Sequence, residues 1–147
     1  MRIEPIGPVL FLLMLVPCHA AEDHKIVTYE QPVQCIRGNI ADVTSSPVSL
    51  VNISVFDHPE VWSDRSLNFT QKRERQHEIT ATVTDERGRF SIKKLPAGRY
   101  EVLLEKGGFD PLSVIVRVDA AVPCKKLCVH LCPSGACFQK PKVQECK

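Results

Sequence analysis

Residues 79–104 decide the fold. They read Ile79-Thr-Ala-Thr-Val-Thr84, Asp85-Glu-Arg-Gly88, Arg89-Phe-Ser-Ile92, Lys93-Lys94, Leu95-Pro-Ala-Gly98 and Arg99-Tyr-Glu-Val-Leu-Leu104. Apolar side chains recur at every second position, which is the period of a strand and not of a helix. The alternation predicts Ile79, Ala81 and Val83 on the inner face of one strand, Phe90 and Ile92 on that of the next, and Tyr100, Val102 and Leu104 on that of a third. Asp85-Glu-Arg-Gly88 is a turn, because Asp bonds its own backbone and Gly accepts positive φ. The runs on either side of it read as a hairpin.

The same rhythm extends in both directions. Val48 to Phe56 places Val51, Ile53 and Val55 on one face, and an earlier strand lies around Gln34 to Ile40. Lys106-Gly-Gly-Phe109 and Asp110-Pro111 turn the chain. Leu112, Val114, Val116 and Val118 then share a face, with Ser113 and Arg117 opposite, and Leu127, Val129 and Leu131 alternate near the end. No stretch carries a helical period. About seven short strands at this turn spacing predict an all-β fold, a seven-stranded antiparallel sandwich. Asp57 to Glu78 breaks the rhythm as an insertion longer than ordinary connections.

Several of these pieces resemble the carboxypeptidase regulatory-like domain, a transthyretin-like (prealbumin-like) sandwich. They are Gly38-Asn-Ile-Ala-Asp42, Thr84-Asp-Glu-Arg-Gly-Arg-Phe90, Leu95-Pro-Ala-Gly-Arg-Tyr-Glu-Val102 and Gly108-Phe109. The resemblance runs from about Gln34 to Asp119, roughly 85 of 147 residues. One departure is that Ser45-Ser46 precede Pro47 where the family usually has Gly. The resemblance implies a non-enzymatic module that accompanies secreted or surface proteins. A transthyretin-like hydrolase of 5-hydroxyisourate is set aside, because that enzyme carries a C-terminal Tyr-Arg-Gly-Ser and this chain closes Val143-Gln-Glu-Cys-Lys147.

The N-terminus has the layout of a secretory signal peptide. Arg2 is followed by the apolar run Val9 to Val16 and by Pro17-Cys-His-Ala20, with cleavage expected after Ala20. The run falls short of the ~20 residues that span a bilayer. A rival reading makes Cys18 the lipid-bearing cysteine of a bacterial lipoprotein, against which Pro17 counts, since a small residue is expected there. Either way the protein is expected to be exported, secreted or periplasmic, into an oxidising compartment. The chain then divides into a signal peptide (1–20), an N-terminal segment (21–33), the sandwich (34–131) and a cysteine-rich tail (132–147).

With Cys18 removed, six cysteines remain: Cys35, Cys124, Cys128, Cys132, Cys137 and Cys146. In an exported domain they read as up to three disulfides. Their spacing lacks the paired C-x2-C of zinc sites, so a thiol- or metal-binding use of the tail is the alternative. If Lys126 to Cys132 is extended, Cys128 and Cys132 lie ~13 Å apart, beyond the ~7 Å a disulfide tolerates. That pair is excluded and twelve of the fifteen pairings stay open. Cys132-Pro-Ser-Gly-Ala-Cys137 could close a small loop, and Cys35 is expected to pair with a tail cysteine.

The net charge of +2 carries no basic stripe of the kind nucleic acid requires. No H-E-x-x-H, G-x-S-x-G or phosphate-binding Gly loop is present, and no catalytic residue, metal site or cofactor is expected. His58-Pro-Glu60 and His77-Glu78 set histidines beside carboxylates, which read as solvated pairs. The candidate interaction surface is the insertion, with Trp62, Arg65, Phe69, Lys72, Arg73 and Arg75. Its expected partner is a protein or a glycan. A carbohydrate-binding module is a further alternative, with thin aromatic material in Trp62, Tyr29 and Tyr100. Asn52 and Asn68 begin Asn-x-Ser/Thr triplets, acceptors only in a eukaryotic host.

Overall fold

The structure is a computed structural model and describes residues 24–136 and 141–147. The expected signal peptide, with Cys18, and Cys137 lie outside the described residues. Among the described residues nine strands follow in chain order: β1 Lys25–Thr28, β2 Arg37–Asp42, β3 Asn52–Phe56, β4 Glu78–Val83, β5 Arg89–Ser91, β6 Gly98–Glu105, β7 Leu112–Val118, β8 Leu127–Leu131 and β9 Val143–Glu145. They form two sheets, ordered β1-β7-β6-β3-β4 and β5-β2-β8-β9.

The all-β sandwich agrees with the sequence, but seven antiparallel strands do not. β1 lies parallel along β7, and β2 lies parallel along β8, so both sheets are mixed. The added strands are short edge pieces: β1 has only Val27 in register with the inner-face Val114, and β9 rests on β8. Such pieces are stabilised by the edge they pair with more than by their own pattern. Nor do β4 and β5 form a hairpin. The turn closes, with the Gly88 N–H donating to the Asp85 carbonyl at 2.9 Å. β4 then belongs to one sheet, while β5 crosses to pair with β2 in the other.

The core is built from the inner faces the alternation predicts. Val51, Ile53, Val55, Phe90, Ile92, Tyr100, Val102, Leu104, Leu112, Val114, Val116, Val118, Leu127, Val129 and Leu131 are all buried in one cluster. β4 is the exception, because Ile79 and Val83 are 44% and 48% exposed. A strand's parity is all or nothing, and shifting it by one residue moves every side chain to the other face. Thr84 fixes it here. Its buried hydroxyl donates to the Val48 carbonyl and accepts from the Val51 N–H, each at 2.9 Å. With Thr84 inside, Thr80 and Thr82 face inward opposite Val55 and Ile53. Ile79, Ala81 and Val83 are left outside.

The first turn accommodates the departure at Ser45-Ser46. Asp42 Oδ1 accepts from the backbone of Thr44 and Ser46, and Ser45 takes the left-handed conformation at φ 68°. Two disulfides tie the second sheet. Cys35–Cys124 joins the approach to β2 with the approach to β8 across 89 residues, and Cys128–Cys146 fastens β9 to β8. Cys35 therefore pairs with a cysteine of the last quarter, and Cys128 does not pair with Cys132.

Gly38 lies opposite Leu127 in the parallel pairing of β2 with β8. A Cβ there would lie 1.8 Å from the Leu127 carbonyl oxygen. Gly38→Ala is expected to cost about 3 kcal/mol or more, the upper range of overpacking, read as a fall in the urea midpoint at unchanged slope. Replacing Cys35 and Cys124 together by Ser should remove about 4 kcal/mol, the chain-entropy value for so long a loop, in the same denaturation assay.

Candidate functional site

The β6 strand carries an ionisable side chain at the centre of the outer face of its sheet. Tyr100, Val102 and Leu104 turn inward, so Glu101 turns outward, and it is nonetheless completely buried. The insertion covers it. After β3 the chain forms a 3-10 turn at Pro59–Ser63 and a helix, α1, at Phe69–Glu74. Helix was not expected here, since six residues are too few to show a period. The local signal is a capping box: Asn68 Oδ1 accepts from the Gln71 N–H at 2.9 Å, and Gln71 Oε1 accepts from the Asn68 N–H at 3.0 Å.

Five hydrogen bonds converge on the Glu101 carboxylate. Trp62 Nε1 and Gln76 Nε2 each donate at 2.7 Å, Arg73 donates from Nη1 and Nη2 at 3.1 Å to the two oxygens, and the Ser113 hydroxyl donates to Oε1. A buried carboxylate is tolerated when it is paired and saturated in this way. Arg73 is itself held by aromatics, its guanidinium lying 4.3 Å from the Phe56 ring centroid and 5.2 Å from that of Trp62. Burial pushes the Glu101 pKa up, but the bonds from Ser113, Arg73, Trp62 and Gln76 outweigh it and hold the carboxyl below its ordinary value of 4.5.

His24 completes the cluster. Its Nε2 lies 2.7 Å from Ser113 Oγ, and its ring packs edge-on against Trp62 and Phe69 at 5.1 and 5.3 Å. Burial lowers the His24 pKa, partly offset by the Glu101 charge. Histidine, serine and glutamate thus meet, but in the wrong order for a nucleophilic triad. There the imidazole stands between carboxylate and hydroxyl to accept the serine proton. Here the buried Ser113 stands between, its proton directed to Glu101.

The six insertion residues singled out from sequence divide into two sets. Trp62 and Arg73 face the sheet and hold Glu101, and Lys72 Nζ donates to the Trp62 carbonyl at 3.2 Å. Arg65, Phe69 and Arg75 remain exposed, Phe69 by 54%. The insertion is therefore not a single solvated loop: one set of these residues is turned to the sheet and the other to water. Sequence reasoning missed Glu101, Gln76, Ser113 and His24. A signal was present: Val102-Leu-Leu104 and Val114-Ile-Val116 are unbroken apolar runs, the mark of strands covered on both faces. Leu103 and Ile115, on the outer face, are indeed buried.

The aromatics proposed for sugar stacking do not share a surface. Tyr100 is buried in the core with its hydroxyl donating to the Pro96 carbonyl at 2.9 Å. Tyr29 packs against the core, and Trp62 lies on the outer face of the sheet. Cys35, Cys124, Cys128 and Cys146 are consumed in the disulfides described above, which removes them from thiol or metal chemistry. Among the described residues no helix is long and apolar enough to cross a membrane.

A family model described as the carboxypeptidase regulatory-like domain matches residues 35–125. A search of curated proteins found no match. Among solved structures the chain is similar to the 5-hydroxyisourate hydrolase of Klebsiella pneumoniae, at 19% identity and a TM-score of 0.49, covering 79% of this chain and 95% of that one. It is similar to an (S)-allantoin synthase at 12% identity and a TM-score of 0.49, covering 79% of this chain and 44% of the other. These findings correct the expectation of a non-enzymatic protein, since the similar structures are enzymes.

Replacing the buried carboxylate should undock the insertion. Glu101→Gln leaves Arg73 without its counter-charge and is expected to cost roughly 2–4 kcal/mol. Trp62 is the single tryptophan, so a red shift of its emission reports the release directly. A carboxyl with a lowered folded pKa stabilises fully above its unfolded value and loses that contribution as pH falls through the folded one. The acid limb of the wild-type stability curve should accordingly steepen below about pH 4.5 and be flatter in Glu101→Gln.

Proposed function

The chain belongs to the carboxypeptidase regulatory-like domain family, matched over residues 35–125, and on that premise we propose that it is an exported binding module whose contact surface is the outer side of the 57–77 insertion. The observation that carries this reading is the division of labour within the insertion. One side is held to the sheet by a saturated buried carboxylate. The other side leaves Phe69 more than half exposed, with Arg65 and Arg75 on the same segment also in water. A rigidly held aromatic with arginines nearby in the chain suits recognition, because little conformational freedom is lost on contact and Arg and aromatic side chains dominate interface energetics. The partner class that fits is a protein surface with an apolar recess and acidic neighbours.

Export is part of the same reading. Residues 1–20 act as the signal peptide, cleaved after Ala20, and the disulfides suit an oxidising compartment. The tail from 132 onward serves as structural support for the second sheet.

The test is capture from the exported proteins of the producing cell on the immobilised disulfide-bonded chain. The double variant Arg65→Ala, Arg75→Ala, which removes only exposed side chains, is expected to weaken capture while keeping the wild-type melting temperature. The triple variant that adds Phe69→Ser, whose ring also packs on Trp62 and His24, should lose the captured partner at least tenfold. A variant of equal charge change elsewhere, Arg37→Ala with Lys93→Ala, should retain it. Capture that survives the triple variant would place the contact surface on another face.

A further inference from the structure

Both ends of the insertion meet at a second cluster, distinct from the Glu101 anchor and independent of the binding role above. Asp57 follows β3 and His77 precedes β4. They form a pinned backbone pair: the Asp57 N–H donates to the His77 carbonyl at 3.1 Å, and Asp57 Oδ1 accepts the His77 N–H at 2.7 Å. One carboxylate oxygen is thereby committed, and Oδ2 is left facing outward. Two imidazoles converge on that oxygen, with His77 Nδ1 at 3.3 Å and His58 Nε2 at 3.6 Å. The ligand atoms of the three residues all lie within 4.8 Å of one another. His58 reaches this position from a left-handed backbone at φ 48°.

We propose that Asp57, His58 and His77 form a binding site for a divalent first-row transition cation of the zinc type. Two of the spacings suit the edges of a coordination tetrahedron. Bonds of ~2.0–2.1 Å from zinc to imidazole nitrogen and carboxylate oxygen imply tetrahedron edges of about 3.3–3.4 Å, close to the two distances to Asp57 Oδ2. Two nitrogens and one carboxylate oxygen are a borderline donor set, matched to zinc or copper and not to calcium or magnesium. The fourth position opens to solvent, since the His58 and His77 side chains are 56% and 80% exposed.

The outer partner such a site needs is also in place. Glu60 Oε1 lies 3.0 Å from His58 Nδ1. A carboxylate accepting the Nδ1 proton fixes the tautomer in which Nε2 carries the lone pair, and Nε2 is the nitrogen turned toward Asp57. That is the carboxylate–histidine–metal arrangement that orients imidazole ligands. The site closes the stem of the insertion, so a bound cation would tie the residue after β3 to the residue before β4.

The experiment titrates zinc chloride into the chelator-stripped, disulfide-bonded chain by calorimetry, with imidazole resonances followed by proton NMR. One equivalent is expected, with the His58 and His77 signals shifting and those of His24 and His130 unmoved. His77→Ala and His58→Ala should each weaken binding more than tenfold, and Glu60→Gln by about tenfold. The exposed histidines are removable without disturbing the core, and circular dichroism of each variant verifies this. The absence of saturable binding, or wild-type affinity in the His58→Ala, His77→Ala double variant, would overturn the site. The wild-type NMR titration decides the question even if a variant misfolds.

Discussion

Glu101 organises the outer half of this molecule. A carboxylate at the centre of a sheet, excluded from water, is costly unless every lone pair is engaged and a counter-charge is near. The insertion supplies both, through Arg73, Gln76 and Trp62, with Ser113 completing the set from β7. Without that carboxylate, residues 57–77 would lose the hydrogen bonds that fix Trp62, Arg73 and Gln76 to the sheet. With it, the connection longer than ordinary loops becomes an ordered layer on the sandwich.

The consequences run outward from this anchor. Arg73 is clasped by Phe56 and Trp62, and Trp62 packs against Phe69 and His24, so the N-terminal approach to β1 is drawn into the same cluster. The antiparallel pairing of β3 with β4, Phe56 opposite Glu78, brings the insertion's two ends together, where Asp57, His58 and His77 converge. One face of the insertion is spent on holding, and the opposite face is turned to water. The disulfides act elsewhere, closing the second sheet at β8 and leaving the first sheet to hydrogen bonding and packing.

The histidine, serine and carboxylate that meet at this anchor stand in the order His24, Ser113, Glu101. Ser113 gives its proton to Glu101, and its side chain is fully buried. Family membership fixes the sandwich. What is done on it is decided by the residues that each member places on its outer face and loops.

Alternation alone determined most of the core: Val51 to Val55, Phe90 and Ile92, Tyr100 to Leu104 and Leu112 to Val118 turn inward as their period requires, because burial of one face is a local property of a strand. The turns at Asp85–Gly88 and the pairing of Cys35 with a distant cysteine were legible for similar reasons of backbone freedom and redox chemistry. Tertiary structure decided the rest. The parity of β4 was set by the two hydrogen bonds of buried Thr84, not by its own apolar residues. The parallel pairings were set by the order in which strands meet across sheets. The burial of Glu101, and the meeting of His58 with His77 across 19 residues, arise only when a distant segment folds back onto the sheet. Periodicity describes which way a side chain points from its own strand. It carries no information about which other segment arrives to cover it.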